Sequence, residues 1–362
     1  MLMYLKKDID GQDEKMKTII EKADINNDEL FSLAGRILKG GGLVAFPTET
    51  VYGLGGDALN GEASGKIYAA KGRPSDNPLI VHIADTEAVY KLAAEVSRQA
   101  QMLMEAFWPG PLTIIFRKKP IVPDATTGGL NTVAVRMPSH PAALKLIADA
   151  GVYIAAPSAN LSGRPSPTTA AHVVEDLAGR IDMILDGGPV GIGIESTIVD
   201  VTGDRPVILR PGYISADMIE NILGDVTMDP ALESPDINAR PKAPGMKYTH
   251  YAPKGELTIV EGDAARVKEK IIELVREKQA QGYRTAVLCD TENVSAYPFE
   301  NVLDAGSKKN EITVSSSLYR LLRLCDDMGA DFIYSESFRE CDMGYAIMNR
   351  LIKAAGHRII KV

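Results

Sequence analysis

The sequence predicts an α/β protein in two parts, a larger unit built on one sizeable sheet and a smaller doubly wound unit. Three observations carry this. Short apolar runs of β type recur along the chain, helical patterns fall between several of them, and 362 residues is about twice a typical domain length. Hydrophobic residues at 45% and charged residues at 24% match ordinary globular composition, which excludes a largely disordered or fibrous chain.

The elements follow in order. Leu30, Ala34, Ile37 and Leu38 recur at helical spacing between Asn27, a candidate N-cap, and the glycines 40–42. GLVAFPTET then reads as a short strand closed by proline, followed by LIVHI (79–83), PLTIIF (111–116), TVAVRM (132–137), VYIAA (152–156), ESTIVDV (195–201) and VILR (207–210). The first domain is therefore assigned to 1–213. Residues 214–253 read as a linker; its 224–253 stretch holds five of the 21 prolines without periodicity. From 254 to 362, ELTIV, a helix at 264–280, TAVLCD, a helix at 316–328, ADFIY, a helix near 345–355 and RIIKV alternate as in a doubly wound domain. On this reading a chain cut after Gly212 keeps the first domain's core.

The net charge of −8 divides evenly, with 21 basic and 25 acidic residues before position 214 and 19 and 23 from there on. Neither part is a basic nucleic-acid module by bulk charge. Three cysteines, Cys289, Cys325 and Cys341, are odd in number and widely spaced, against both a disulfide framework and a zinc ribbon. The start turns acidic before an apolar leader could form, and no run of about 18 apolar residues occurs. A reducing, cytoplasmic location is expected, without secretion or membrane insertion.

No GxxxxGK[ST], GxGxxG or HExxH occurs, and the five histidines lack metal-ligand spacing, so no protein-held metal is expected. Four polar clusters instead leave strands or occupy loops. Pro47-Thr48-Glu49-Thr50 opens the first, and the glycines after it read as flexible. Lys71-Gly72-Arg73-Pro74-Ser75-Asp76-Asn77-Pro78 reads as a stiff, non-helical cationic loop followed by His82. Arg136 ends a strand and joins Ala155-Ala156-Pro157-Ser158-Ala159-Asn160 and Arg164-Pro165-Ser166. Gly187 to Gly193 could form a backbone N–H nest for an anion or a plain turn, and leads to Glu195-Ser196-Thr197 and Arg210. Together these supply cations, short hydroxyls and an amide but no clear nucleophile, which suits binding and orienting a polyanion, as in nucleotidyl or phosphoryl transfer, where Mg²⁺ commonly accompanies the phosphates.

As a set, PTETVYGLG, KGRPSDNPLIVH, WPGPLT, TVAVRMPSHP, APSANLSGRPSPT, ESTIVDV and LRPG resemble the threonylcarbamoyl-AMP synthase family, of YrdC-like fold. Lys71-x-Arg73 with Ser158-x-Asn160 is similar to the family's KxR…SxN signature, and APGMKYTHYAP with the alternating tail resembles its longer form, in which a YrdC-like twisted-sheet domain is followed by a linker and a smaller Rossmann-like domain. One departure is Asp342, where similar proteins often carry glycine. The resemblance implies formation of L-threonylcarbamoyl-AMP and pyrophosphate from ATP, L-threonine and bicarbonate, for N6-threonylcarbamoyladenosine in tRNA. It assigns Lys71, Arg73, Asn77, Ser158, Asn160, Ser166 and Arg210 to ATP, with Lys71 and Arg73 as the catalytic cations, and counts Thr132 as ATP-binding at the border with the threonine side. Thr48, His82, Arg136, Ala156 and Ser196 are assigned to threonine. Tyr248 or Tyr251 is expected to close over the nucleotide as part of a linker lid. Mg²⁺ would come with ATP, the product would pass to downstream tRNA threonylcarbamoyl transferase machinery, and no stable tRNA binding is expected. The rivals are a double-stranded RNA-binding module and a carbamoyl phosphate-using domain of the kind found in hydrogenase maturation proteins, whose zinc-finger and acylphosphatase-like segments this chain lacks.

Overall fold

The computed structural model describes residues 16–232, 241–244, 251–338 and 343–362. Tyr248, Cys341 and Asp342 therefore lie outside the described residues.

The strands of the first sheet are β1 (Ile19–Lys22), β2 (Val44–Phe46), β3 (Gly53–Asp57), β4 (Ile80–His82), β5 (Leu112–Arg117), β6 (Thr132–Arg136), β7 (Ile154–Ala155), β8 (Met183–Asp186), β9 (Thr197–Asp200), β10 (Val207–Arg210) and β11 (Thr227–Met228). They form one eleven-stranded mixed sheet in the order β1-β8-β2-β3-β7-β4-β6-β5-β9-β10-β11. Eight helices accompany it: α1 (Asp28–Lys39), α2 (Gly61–Lys71), α3 (Val89–Leu92), α4 (Arg98–Phe107), α5 (Asp124–Thr127), α6 (Pro141–Ala150), α7 (Ala170–Leu177) and α8 (Ala216–Leu223). Asn27 caps α1 as expected, its Oδ1 accepting from Leu30 N at 3.1 Å, and α1 buries Leu30, Phe31, Ala34 and Leu38. This face packs on α6.

The second sheet contains β12 (Glu256–Glu261), β13 (Thr285–Cys289), β14 (Val302–Asp304), β15 (Phe332–Glu336) and β16 (Ile359–Lys361). Its order is β14-β13-β15-β12-β16 and every pairing is parallel. Helices α9 (Ala264–Ala280), α10 (Glu311–Asp327) and α11 (Gly344–Ala354) connect these strands, so the doubly wound expectation holds.

At four places the structure adds to what the sequence suggests. Gly53–Asp57, read as flexible, is a strand inside the sheet; glycine hides the period-two signal by which strands are recognised. Beyond 213, α8 packs on α4 and β11 pairs parallel with β10, so part of the segment read as linker is folded onto the first unit. Residues 241–244 also dock there: Ala243 is fully buried beside Ile80, Ile198 and Leu209. Finally, of the two readings open for the glycine-rich stretch after β8 the structure favours the turn: Gly187 N donates to Tyr52 Oη, Gly188 N to Asp186 Oδ1 and Gly193 N to Thr50 O.

Candidate active site

A cleft opens where the ends of β2, β4, β6, β7 and β10 meet the turn after α2. Thr48, Lys71, Arg73, His82, Arg136, Ala156, Ser158, Asn160, Ser196, Arg210 and Tyr251 all line it. Residues scattered over 204 positions thus converge because neighbouring strands, running in both directions, set them side by side: His82 of β4 lies opposite Arg136 of β6, and Ala156, just after β7, bonds back to Ile80 of β4.

Lys71 is the last residue of α2 and is buried, so the stiff cationic loop begins one residue later than the sequence suggests. Gly72 ends the helix in the left-handed region, φ 61°, a conformation that costs glycine nothing and sends Arg73 out of the helix path. The Lys71 ammonium donates to the carbonyls of Ser158 and Asn160, which leaves a third N–H for the cleft. Arg73 Nε donates to Asn77 O at 3.4 Å and Nη2 to Pro78 O at 3.2 Å, so the proline-bounded turn holds its guanidinium in place. Asn160 Nδ2 donates to Leu161 O and Arg164 O at 2.8 and 2.9 Å, while Ser158 Oγ donates to Asn160 Oδ1 at 2.5 Å. Arg210, at the end of β10, donates from Nε to Ser196 O (3.0 Å), from Nη2 to Ser196 Oγ (3.1 Å) and from Nη1 to Pro244 O (3.3 Å).

On the other side of the cleft the Thr48–Val51 segment is a tight turn: Thr48 Oγ1 donates to Val51 O at 2.6 Å and accepts from Thr50 N at 3.2 Å. Arg136 reaches into this turn, donating from Nη1 to Thr50 Oγ1 at 2.9 Å and from Nη2 to Glu49 Oε1 at 2.6 Å. The fork expected to await a ligand carboxylate therefore already holds the Glu49 carboxylate, whose other oxygen, Oε2, is buried without a partner. His82 is buried with Nδ1 3.1 Å from Ile80 O.

Burial sets the electrostatics. It pushes the Lys71 ammonium well below its usual pKa, with Arg73 adding repulsion, and brings the Arg73 guanidinium down to about 10. Burial and Arg136 hold His82 at about 3, so it is a neutral imidazole at ordinary pH. Burial alone would raise Glu195, but Arg350 and Arg210 together with Ser166 overcome it and hold that carboxyl at about 2.

Three assigned residues do not line the cleft. Asn77 is buried, and it is its backbone carbonyl that accepts from Arg73. Ser166 is buried behind the wall, donating to Glu195 Oε1 at 2.6 Å. Thr132 pairs with Arg117 at the far end of β6, four residues and about 13 Å of strand from Arg136. Glu195, Pro244 and Gly163 do line the cleft but carried no sequence assignment. Glu195 showed only as an acid before a strand; its partners, Arg350 and Tyr319, lie 155 and 124 residues away and left no local signal.

The comparisons agree over nearly the whole chain. A family model for Sua5, YciO and YrdC proteins, described as "Telomere recombination", matches residues 36–212, and the model of the threonylcarbamoyl-AMP synthase C-terminal domain matches 214–356. A threonylcarbamoyl-AMP synthase of Bacillus subtilis is 50% identical over 339 residues, covering 92% of this chain and 95% of that protein. One from Pyrococcus abyssi is 48% identical over 330 residues, 91% and 95% of the two chains. The crystal structure of P. abyssi Sua5 complexed with L-threonine superposes with a TM-score of 0.89 at 45% identity, over 96% of this chain and 99% of that one. The eleven-stranded and doubly wound sheets, the KxR…SxN cleft and these matches agree: the chain belongs to the threonylcarbamoyl-AMP synthase family, in its two-domain form.

Proposed function

We propose that this cleft makes L-threonylcarbamoyl-AMP and pyrophosphate from ATP, L-threonine and bicarbonate. The observation that carries this reading is the convergence of four cations, Lys71, Arg73, Arg136 and Arg210, on a cleft whose Thr48, Ser158 and Ser196 hydroxyls sit on carbonyl, amide, hydroxyl or guanidinium groups rather than on a basic histidine. Such a site orients reactants without attacking them. The threonine amine combines with CO₂ from bicarbonate, giving up a proton to form a carbamate. A carbamate oxygen attacks the α-phosphorus of ATP, the bond from that phosphorus to the bridging oxygen breaks, and pyrophosphate departs with the electron pair. Lys71, Arg73 and Arg210 offset charge developing on the phosphates, while Ser158 and Asn160 shape the wall beside them. Thr48, His82, Arg136, Ala156 and Ser196 form the threonine side.

Among the described residues no cluster of three His, Cys, Asp or Glu could hold an ion, and the carboxylates at the cleft, Glu49 and Glu195, face arginines. Mg²⁺ on this reading arrives with the triphosphate. The product is a reactive mixed anhydride that a separate tRNA threonylcarbamoyl transferase must consume, and a cytoplasmic setting fits that hand-over; no helix among the described residues is long and apolar enough to cross a membrane. Duplex RNA binding is not favoured, because Lys71, Arg136 and Arg210 are no more than 5% exposed and cannot reach phosphates on an outer surface.

Pyrophosphate release tests the reading. It should require threonine and bicarbonate together. Release indifferent to threonine, or RNA affinity that falls steeply with salt in a protein without ATP turnover, would overturn it. The carboxylate assignment has its own test. Arg136→Lys should weaken threonine by about 10- to 100-fold in calorimetry and ATP by much less, since an ammonium cannot hold Thr50 and Glu49 as the planar guanidinium does and still face a ligand. Equal losses would move Arg136 to the nucleotide side.

A further inference from the structure

We propose that Arg350, from the second domain, is a positioning residue for the first domain's cleft, holding the Glu195 carboxylate so that Arg210 stays free to face the triphosphate. The inference rests on the reading of Arg210 as a phosphate contact.

Arg350 lies on α11 and is fully buried. It crosses the domain boundary, donating from Nε to Glu195 Oε2 at 3.1 Å, from Nη2 to Glu195 O at 3.3 Å and from Nη1 to Pro211 O. Tyr319, on α10, donates its hydroxyl to the same carboxylate, 2.9 Å from Oε2 and 3.1 Å from Oε1, and Ser166 donates to Oε1. Two of the carboxylate's three side-chain partners thus come from the second domain. Arg210 feels the charge of Glu195 through the same buried space, yet none of its nitrogens bonds to that carboxylate.

A buried carboxylate is tolerated only with a cation and hydrogen bonds around it. Without Arg350, Glu195 would have to recruit the neighbouring guanidinium of Arg210, and turning one side chain costs far less than an unpaired buried anion. That turn would pull Arg210 off Ser196 and Pro244 and away from the phosphates. The domains are also set too closely for the contact to drift. Gly193, at φ 85°, lies against the α10 backbone at Ser315 and Ser316 with no room for a Cβ, and Tyr319 stacks on Tyr251 with ring centres 5.0 Å apart. Arg323, also on α10, donates to Pro165 O and to Asp176 Oδ2 at 2.6 and 2.7 Å. The second domain therefore grips the backbone of three first-domain loops, at 165, 193–195 and 211.

The test uses the full chain and reads ATP affinity by calorimetry alongside the KM for each substrate. Arg350→Met should raise the Kd and KM for ATP by about 100-fold while the KM for threonine changes less than about three-fold. Adding Glu195→Gln to it removes the carboxylate that would capture Arg210, and should recover at least about ten-fold of the ATP affinity. Tyr319→Phe keeps the ring stack and should weaken ATP in the same direction by about five-fold, a smaller effect because Ser166 and Arg350 still hold the carboxylate. Wild-type ATP affinity in Arg350→Met, or a loss shared equally by both substrates and not recovered by Glu195→Gln, overturns the proposal. Should Arg350→Met fail to fold, the Arg350→Met/Glu195→Gln pair and Tyr319→Phe decide it by the same readouts. A wild-type chain that binds no ATP overturns the functional reading instead, and the inference with it.

Discussion

Arg73→Ala is expected to lower turnover at saturating ATP by about 100- to 1,000-fold, the usual cost of deleting one preorganised charge contact to a transition state. Its guanidinium is anchored on only two backbone carbonyls, Asn77 O and Pro78 O, in a turn outside the core, and it lines the cleft between Lys71 and Arg210. Removing it takes away charge and leaves the packing alone, so the melting temperature should stay within about 2 °C of the wild type. Lys71 offers the contrast, because its ammonium pins the carbonyls of Ser158 and Asn160 and its loss should cost stability as well as rate. Rate and thermal melting of purified Arg73→Ala check this; wild-type turnover with saturating substrates would remove Arg73 from the phosphate role.

A chain ending at Gly212 should fail to fold cooperatively, the reverse of what the sequence suggests for that cut. Removing residues 213–362 strips α8 from α4 and β11 from β10, and uncovers Val51 and Ile194, which pack in the second domain's apolar cluster. It also takes Arg350 from Glu195 and Arg323 from Asp176. Breaking a buried charge pair by deleting one partner costs about 3–5 kcal/mol, against a total domain stability of about 5–15 kcal/mol. Arg210 and Arg164 can compensate in part, which is why a cut after Leu232, keeping α8 and β11, should fold but melt lower and bind ATP weakly. Thermal circular dichroism of the two chains decides it. A cooperative melt of the shorter one within a few degrees of the full protein would show that the interface contributes little.

Where a residue's role depends on near neighbours in sequence, the sequence was a good guide. The boundaries of α9 were legible to the residue because Val267, Ile271 and Val275 repeat at helical spacing after the Asp263 cap. Several residues that line the cleft were legible too, since Arg73, Ser158 and Asn160 stand in small-residue or proline-bounded segments that regular structure does not need. The linker was half legible: Tyr251 does reach the cleft, buried beneath the second domain, while Tyr248 lies outside the described residues.

By itself, then, the sequence determined the α/β class, the alternation of the second domain and the candidate polar groups, because each is written in local periodicity or local turn chemistry. Only the tertiary structure decided which of those groups share a cavity. It placed Thr132 at the end of its strand away from Arg136, Ser166 behind the wall, the Glu49 carboxylate on Arg136 and the second domain's Arg350 on Glu195. Those relations depend on which strands lie side by side and on which buried charge finds a partner more than 100 residues away. Burial and charge pairing are properties of the packed whole, and no window of neighbouring residues carries them.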